Sequence, residues 1–193
     1  MASEGEAVLL SVQHTVYQHE IFVDVATGTY DMDCSGYVGY VLERIARRHY
    51  DTIPAATGRP LAYEFYDHFS ALPPEGAGGW TPIQPLMEAL PGDIVAWRSE
   101  LIEPGVNTGH VFIVADEPEV LDDGAVAVPV YDSSNVLHYD DTRGQGGDSP
   151  ATGVGSGTIH FRYGDAGVEF KFGPGDPYFD CPLAIGRLEP LPT

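Results

Sequence analysis

The stretch from Asp31 to Arg48, DMDCSGYVGYVLERIARR, restricts the fold more than any other part of the chain. In it Cys34 stands between an acid and a Ser-Gly pair, directly before apolar residues with helical spacing: Tyr37, Val38, Val41, Leu42 and Ile45. This pattern predicts a helix that begins at Cys34. Free amides and the positive dipole end at a helix start favour a thiolate, and three arginines suit the opposite end: Arg44, Arg47 and Arg48. A cysteine that only packs at the start of a core helix fits the same pattern.

Two later motifs add a predicted pair of strands. LPGDIVAW, at Leu90–Trp97, combines turn residues with a β-branched and aromatic run typical of a buried strand. TGHVFIV, at Thr108–Val114, places His110 at the head of the next strand, directly after Gly109. The intervening residues, 99–109, are expected to form a loop between antiparallel neighbours, and this loop could overhang a cleft.

The three motifs DCSGYV, LPGDIVAW and TGHVFIV, in this order, resemble the NlpC/P60 family of papain-like cysteine peptidases over roughly residues 14–137. The resemblance implies an α+β papain-like fold, in which the catalytic cysteine begins a helix that packs on an antiparallel β-sheet. It implies that Cys34 is the nucleophile and His110 its base. The implied substrate is a peptidoglycan stem peptide.

The resemblance also implies a site for the free amine of that peptide. In the family this amine is recognised by an upstream tyrosine and by the Asp and Ser that flank the cysteine, which correspond here to Tyr17, Asp33 and Ser35. Tyr30 competes with Tyr17, because Tyr17 lacks the glycines that usually follow the tyrosine. Asp33 also fits the simpler role of a helix-start residue. The expected consequence is a preference for substrates with free amino ends.

A third group should orient the imidazole of His110, because a histidine base works only in the correct tautomer and angle. Asp132 follows a predicted third strand, Val126–Tyr131, and is our choice for this role. The family usually has a histidine or another polar residue there. An aspartate that caps a turn at Ser133-Ser134 fits almost as well. Three polar residues that follow could line the cleft, although a surface loop is the preferred interpretation for them: His138, Asp141 and Arg143.

The rest of the chain fits one α+β domain over residues 1–193. Residues 7–17 fit a short helix or a strand, and residues 20–30 a hairpin. Leu61–Leu72 has the spacing of an amphipathic helix. The polar, glycine-rich stretch 142–157 is expected to be a mobile loop or a flap. Short strands are expected at 158–163 and 168–172, and 183–188 should close the sheet.

Composition narrows the classes of function. The chain has 29 acids against 9 Lys and Arg, a formal net charge of −20, which disfavours nucleic acid and anionic membranes as partners. Cys34 and Cys181 are expected to be free thiols, and histidines at wide spacing do not favour zinc; no cofactor is expected. Without a basic amino-terminal region or a long apolar run, we expect a cytoplasmic product as synthesised, unless another export route exists.

The sequence therefore predicts a cysteine peptidase or amidase, with Cys34, His110 and Asp132 as its catalytic residues and Asp33, Ser35 and Tyr17 in substrate binding. The expected partner is a peptide or muropeptide substrate, and the chain is expected to act as a monomer. Two alternatives stay open. One is a papain-like acyltransferase or thioesterase, and the other is a non-catalytic binding module that retains the cleft.

Overall fold

The computed structural model describes residues 1–103, 107–145, 151–164 and 167–191. Within these residues, nine strands form one sheet with the order β10-β9-β8-β7-β5-β4-β11-β3, and β6 pairs with β7 beside this path. Its strands are β3 (Trp80–Pro82), β4 (Ile94–Arg98), β5 (Gly109–Val114), β6 (Glu119–Val120), β7 (Val126–Ser134), β8 (Gly153–Gly164), β9 (Gly167–Lys171), β10 (Phe179–Cys181) and β11 (Leu183–Leu188). Every pairing in it is antiparallel. A separate hairpin consists of β1 (Phe22–Asp24) and β2 (Thr29–Asp31).

The helices of the described region pack on this sheet. They are α1 (Ala2–Ser11), α2 (Cys34–Ile45), α3 (Arg47–Tyr50) and α4 (Ala62–Ser70), and a short 3₁₀ helix covers Leu86–Glu88. Helix α2 lies against β5 and β7, and α4 lies against β4 and β11. The start of α2 therefore lies near the two central strands β5 and β7.

Apolar side chains fill both faces of the central strands. In β4, Ile94 and Ala96 belong to the cluster shared with α2 and α4, whereas Val95 and Trp97 belong to the cluster on the opposite face. All the residues of β5 are buried. Burial on both faces explains why these strands read as unbroken apolar runs and not as alternating ones. Each fully buried large side chain stabilises the fold by about 1.5–3 kcal/mol.

The expected α+β class is confirmed, and so are most of the expected elements. The hairpin at residues 20–30, the helix near Leu61–Leu72 and the antiparallel pair β4–β5 are present. Residues 7–17, for which helix and strand were both open, begin in α1, which ends at Ser11. The loop expected at 99–109 connects β4 to β5, and its residues 104–106 lie outside the described residues.

Four expectations require correction. The helix that begins at Cys34 ends at Ile45, where Ala46 leaves helical geometry, so Arg47 and Arg48 belong to α3. The third strand continues to Ser134, so Asp132 lies inside β7 and caps no turn. Strand β11 lies between β4 and β3 and does not close the sheet. Residues 153–157 of the glycine-rich stretch form the first half of β8, while its residues 146–150 lie outside the described residues.

No helix in the described part of the chain is both long enough and apolar enough to cross a lipid bilayer.

Candidate active site

Cys34 is the first residue of α2, and the residue before it fixes this start. Asp33 is the N-cap, and its Oδ1 accepts a hydrogen bond of 2.8 Å from the backbone amide of Gly36. Such a cap satisfies one of the backbone amides that a helix start leaves unpaired. Cys34 is a free thiol, and so is Cys181. The predicted helix start at Cys34 is therefore present.

His110 is the second residue of β5 and lies beside Cys34, close enough for the two groups to interact electrostatically. Gly109 precedes it with φ of +126°, and a Cβ at this position would lie 2.0 Å from the carbonyl oxygen of Trp97. Only glycine allows this close approach of β5 to β4. Burial alone would lower the pKa of His110, but the neighbouring Cys34 and the hydrogen bond with Asp132 raise it to about 9.

Asp132 and His110 are joined directly, as the predicted roles require. The distance from His110 Nε2 to Asp132 Oδ2 is 2.7 Å, and the Asp132 side chain is completely buried. With Nε2 engaged by the carboxylate, Nδ1 is the nitrogen left to exchange a proton with the thiol. The next residue, Ser133, donates a hydrogen bond of 2.6 Å to the carbonyl oxygen of Met32, which ties β7 to the chain just before Cys34.

Asp132 has two further partners, which sequence reasoning assigned to a surface loop. His138 Nε2 lies 2.8 Å from the same Oδ2 atom, and Arg143 Nη1 lies 3.0 Å from Oδ1. The Arg143 contact is an ion pair and not a hydrogen bond, because Oδ1 has no aligned donor in the described region. Burial favours the protonated acid, but Arg143, His138 and the bond from His110 hold the pKa of Asp132 well below its usual range.

The surface-loop interpretation of residues 138–143 is therefore wrong. His138, Asp141 and Arg143 are all buried. The Asp141 carboxylate holds Arg143 through Nε at 2.8 Å and Nη2 at 2.9 Å, and it also accepts from the backbone amide of His138 at 2.7 Å. The His138 ring stacks on Phe172 with centroids 5.0 Å apart. A turn that hydrogen bonds inward in this way can be buried, because its charges and amides are satisfied within it.

The glycines of β8 make room for this group of buried side chains. A Cβ at Gly155 would lie 2.6 Å from Arg143 Nε, and a Cβ at Gly157 would lie 2.7 Å from His138 Cβ. Both distances are too short for any larger residue. Residues 153–157 of the sequence that suggested a flap thus belong to a strand, and its Gly155 and Gly157 lie against Arg143 and His138.

Of the two candidate tyrosines, Tyr17 lines the cleft together with Cys34. Burial and then the negative charges at Cys34 and Asp33 raise the pKa of Tyr17, so its phenol stays protonated. The Tyr30 hydroxyl instead lies 2.8 Å from Ser11 Oγ. Of the two, Tyr17 is thus the one that lies at the cleft, and its role in substrate binding stays a prediction.

Asp33 and Ser35 also lie at the cleft, but a partner that sequence reasoning missed lies between them. Arg59 donates to Asp33 Oδ2 at 2.6 Å through Nη2, and to Ser35 Oγ at 2.6 Å through Nη1. His19 Nδ1 lies 3.0 Å from the same Asp33 oxygen. Burial would raise the pKa of Asp33, but the bonds from Arg59 and His19 lower it.

The cleft in front of Cys34 has a volume of about 480 Å³. One wall consists of residues that precede or follow Cys34, with Arg59 from the loop before α4. The other wall is formed by the segment that leads into β5, so the predicted position of this segment beside a cleft is confirmed for its described residues: Glu103, Asn107, Thr108 and Gly109. The volume suits a group of the size of one or two amino-acid residues.

A metal ion is a second use that this group of residues could have. Ligand atoms of His110, Asp132 and His138 lie within 4.8 Å of one another. However, a histidine ligand must be neutral, whereas His110 has a pKa raised to about 9, and Arg143 already lies at the other carboxylate oxygen. The imidazoles of His110 and His138 both lie at hydrogen-bonding distance from the same oxygen, Asp132 Oδ2. The donor set fits a buried hydrogen-bond network better than a cation site.

Comparison of the chain with protein-family models, with curated proteins and with solved structures gives no significant match. The resemblance to the NlpC/P60 family therefore rests on the three motifs and their order.

Proposed function

We propose that this protein is a cysteine peptidase or amidase of papain-like type, which hydrolyses an amide bond through Cys34, His110 and Asp132. The observation that carries the proposal is the position of His110, which lies beside Cys34 and whose Nε2 lies 2.7 Å from Asp132 Oδ2. A nucleophile, a base and an orienting carboxylate in this arrangement are the parts that acyl transfer requires. The three motifs add support for the papain-like type.

The residues divide the reaction as follows. The Cys34 thiolate attacks the carbonyl carbon of the amide, and the electron pair moves to the carbonyl oxygen. The Cys34 backbone amide at the start of α2 and the protonated Tyr17 phenol are donors near that oxygen. His110 then protonates the leaving nitrogen, so that an acyl-thioester and an amine result. In the second half, His110 takes a proton from water, which attacks the thioester and releases the acid and the thiol.

The substrate class follows from the motif resemblance and from the size of the cleft. A stem peptide of peptidoglycan, or a related small peptide, presents amide bonds between residues small enough for a cleft of about 480 Å³. A charge of −20 on the chain disfavours polyanionic partners but not a short peptide, whose contacts are confined to the cleft.

The test is a digest of purified muropeptides and short peptides, with products identified by mass spectrometry. Cys34→Ala is expected to abolish cleavage while circular dichroism stays unchanged, because the substitution removes only one sulfur atom. Cys181→Ala is the matched control, since Cys181 is the second buried free cysteine and does not line the cleft of Cys34, and it should cleave like the wild type. Cleavage that persists in Cys34→Ala contradicts the proposal. Added amines separate the alternatives, because an acyltransferase forms a new amide from them whereas a hydrolase releases a free acid.

A further inference from the structure

We propose that the subsite formed by Asp33, Ser35, Arg59 and His19 binds a carboxylate of the substrate and rejects a free ammonium group. This inference rests on the proposed function, since it names the charge that the same cleft accepts next to the scissile bond. It reverses the preference for free amino ends that the motif resemblance implies.

The first argument is that Asp33 has no accepting capacity left for an ammonium group. Its Oδ1 accepts from the Gly36 amide at 2.8 Å and from Ser35 Oγ at 3.0 Å. Its Oδ2 lies 2.6 Å from Arg59 Nη2 and 3.0 Å from His19 Nδ1. A carboxylate offers about four lone-pair directions in total. A substrate ammonium would have to displace Arg59, and the guanidinium would repel it.

The second argument is that Arg59 retains N–H donors that no described residue uses. A guanidinium has about five N–H donors. Those of Arg59 engage Asp33, Ser35 and the carbonyl oxygen of His19, and its Nε–H makes no hydrogen bond with any described residue. The Arg59 side chain is 20% exposed and lines the same cleft as Cys34. A partly desolvated guanidinium with an unused donor is a suitable partner for a carboxylate.

The other charges of the cleft do not outweigh Arg59. Glu103 is the second acid of the lining, but it is exposed, so water and salt screen its charge. His19 is exposed over 77% of its side chain and has one ring nitrogen away from Asp33, so it adds a second donor when protonated. Among the described residues that line the cleft, Arg59 is the one arginine or lysine, and the helix start of α2 has the same sign.

The experiment uses the charge dependence of a reaction at Cys34 that needs no peptide substrate. Two methanethiosulfonate reagents of similar size, one with a sulfonate and one with a trimethylammonium group, are compared in a Cys181→Ala background at low salt. If the subsite binds anions, the sulfonate reagent should modify Cys34 about tenfold or more faster than the trimethylammonium reagent does. Faster reaction with the trimethylammonium reagent overturns the proposal, and so does absence of reaction with either, because the subsite is then closed to ligands.

Variants assign the preference to Arg59. Arg59→Gln should reduce the ratio of the two rates to about one or reverse it, and Arg59→Lys, which keeps the charge, should preserve its direction. Arg162→Gln is the matched control, because it removes the same charge from an exposed arginine that pairs with Glu169 away from the cleft. A ratio that responds equally to Arg59→Gln and Arg162→Gln overturns the proposal, since it then reflects only the total charge. If the ratio of the two rates changes in Glu103→Gln but not in Arg59→Gln, the proposal is also overturned.

Peptides then connect the subsite to catalysis. One peptide is offered with its amino group free, acetylated or succinylated, and the succinylated form is expected to have the highest kcat/KM and the free amine the lowest. Preference for the free amine contradicts the inference and supports the amine site that the resemblance implies. If no peptide is cleaved while the reagents still show the sulfonate preference, the proposed hydrolysis fails and the anion subsite stands.

Discussion

Arg143 and Asp132 form an ion pair, with Nη1 3.0 Å from Oδ1, at a point where the two side chains are only 2% and 0% exposed. A carboxylate buried to this extent without a cation would be protonated, and it could then no longer stabilise an imidazolium at His110. Arg143 touches neither the thiol nor the cleft. In the proposed mechanism it is a positioning residue, because it keeps Asp132 ionised and Asp132 would in turn orient His110.

The first prediction concerns stability. Arg143→Met should lower the free energy of unfolding by about 3–5 kcal/mol, because it leaves Asp132 and Asp141 buried without their cation. Arg162→Met is the control, since the Arg162–Glu169 pair is exposed and its loss should cost only about 0–1 kcal/mol. Urea unfolding of both variants measures the difference. Equal losses would mean that the buried pair contributes no more than a surface one.

The second prediction concerns the pH dependence of catalysis. Because the pKa of His110 is raised to about 9, its imidazolium should be available to protonate the leaving amine up to that pH. The value of kcat/KM should therefore fall as the pH rises through about 9. Asp132→Asn removes the charge that supports the imidazolium, so it should lower kcat/KM by about 10-fold to 100-fold and move this alkaline limb to lower pH.

His110→Ala gives the comparison for that prediction. It removes the proton carrier itself, so its kcat/KM should be lower than that of Asp132→Asn, by a factor of about 10 or more. Both rates are measured on one peptide between pH 5 and 10, a range chosen around the expected limb. An unshifted alkaline limb in Asp132→Asn would assign the orienting role to another group. His138 is then the first candidate, because it lies beside His110 on the same carboxylate oxygen.

The same pKa shift determines how the stability of the fold should depend on pH. The pKa of His110 is raised from 6.5 to about 9 on folding, so its contribution is complete below pH 6.5 and is lost as the pH rises through about 9. The contribution of Asp132 to stability depends on pH in the opposite direction. Its pKa is held well below 3.8, so its contribution is present above that value and is lost only at lower pH. The two contributions are present together at mildly acidic pH.

The sequence predicts features whose pattern lies within one helix or strand, and it misses contacts between residues that are far apart in the chain. Local patterns located the helix start at Cys34, the strand start at His110 and the third strand, because helical spacing and β-branched runs are readable within one element. Asp132 was found by its position after a strand run. Arg59 was missed, since it comes from a loop without periodicity and meets Asp33 only through the folding of the chain around α2.

Residues 153–157 of the glycine-rich stretch were misread for a related reason. Glycine usually indicates a flexible connection, but in β8 it leaves space for side chains of a distant turn. The turn at 138–143 was read as a surface loop because four of its six residues are charged or histidine. Only the pairing of β7 with β8 brings the glycines and these side chains together, and pairing is a property of the whole sheet.

The third prediction tests that relationship. Gly155→Ala places a methyl group in steric conflict with Arg143, since its Cβ would lie only 2.6 Å from Arg143 Nε. The variant should lose about 1–3 kcal/mol of stability through overpacking, and kcat/KM should fall as Arg143 shifts from Asp132. Gly175→Ala is the matched control, because nothing lies within 4 Å of its Cβ position. If both variants behave like the wild type, β8 does not support the buried turn.

The last prediction compares the two thiols. Burial and then the neighbouring Asp180 raise the pKa of Cys181 to about 12, so almost none of it is thiolate at neutral pH. Only the thiolate alkylates, and Cys34 lies at an open cleft beside His110, which can accept its proton. Iodoacetamide at pH 7 should therefore label Cys34 at least about 10 times faster than Cys181, as followed by peptide mass spectrometry. His110→Ala should slow labelling at Cys34 and leave Cys181 unchanged. Equal rates at the two cysteines would remove the basis for a catalytic thiol, because a nucleophile without enhanced reactivity fits the non-catalytic binding module instead.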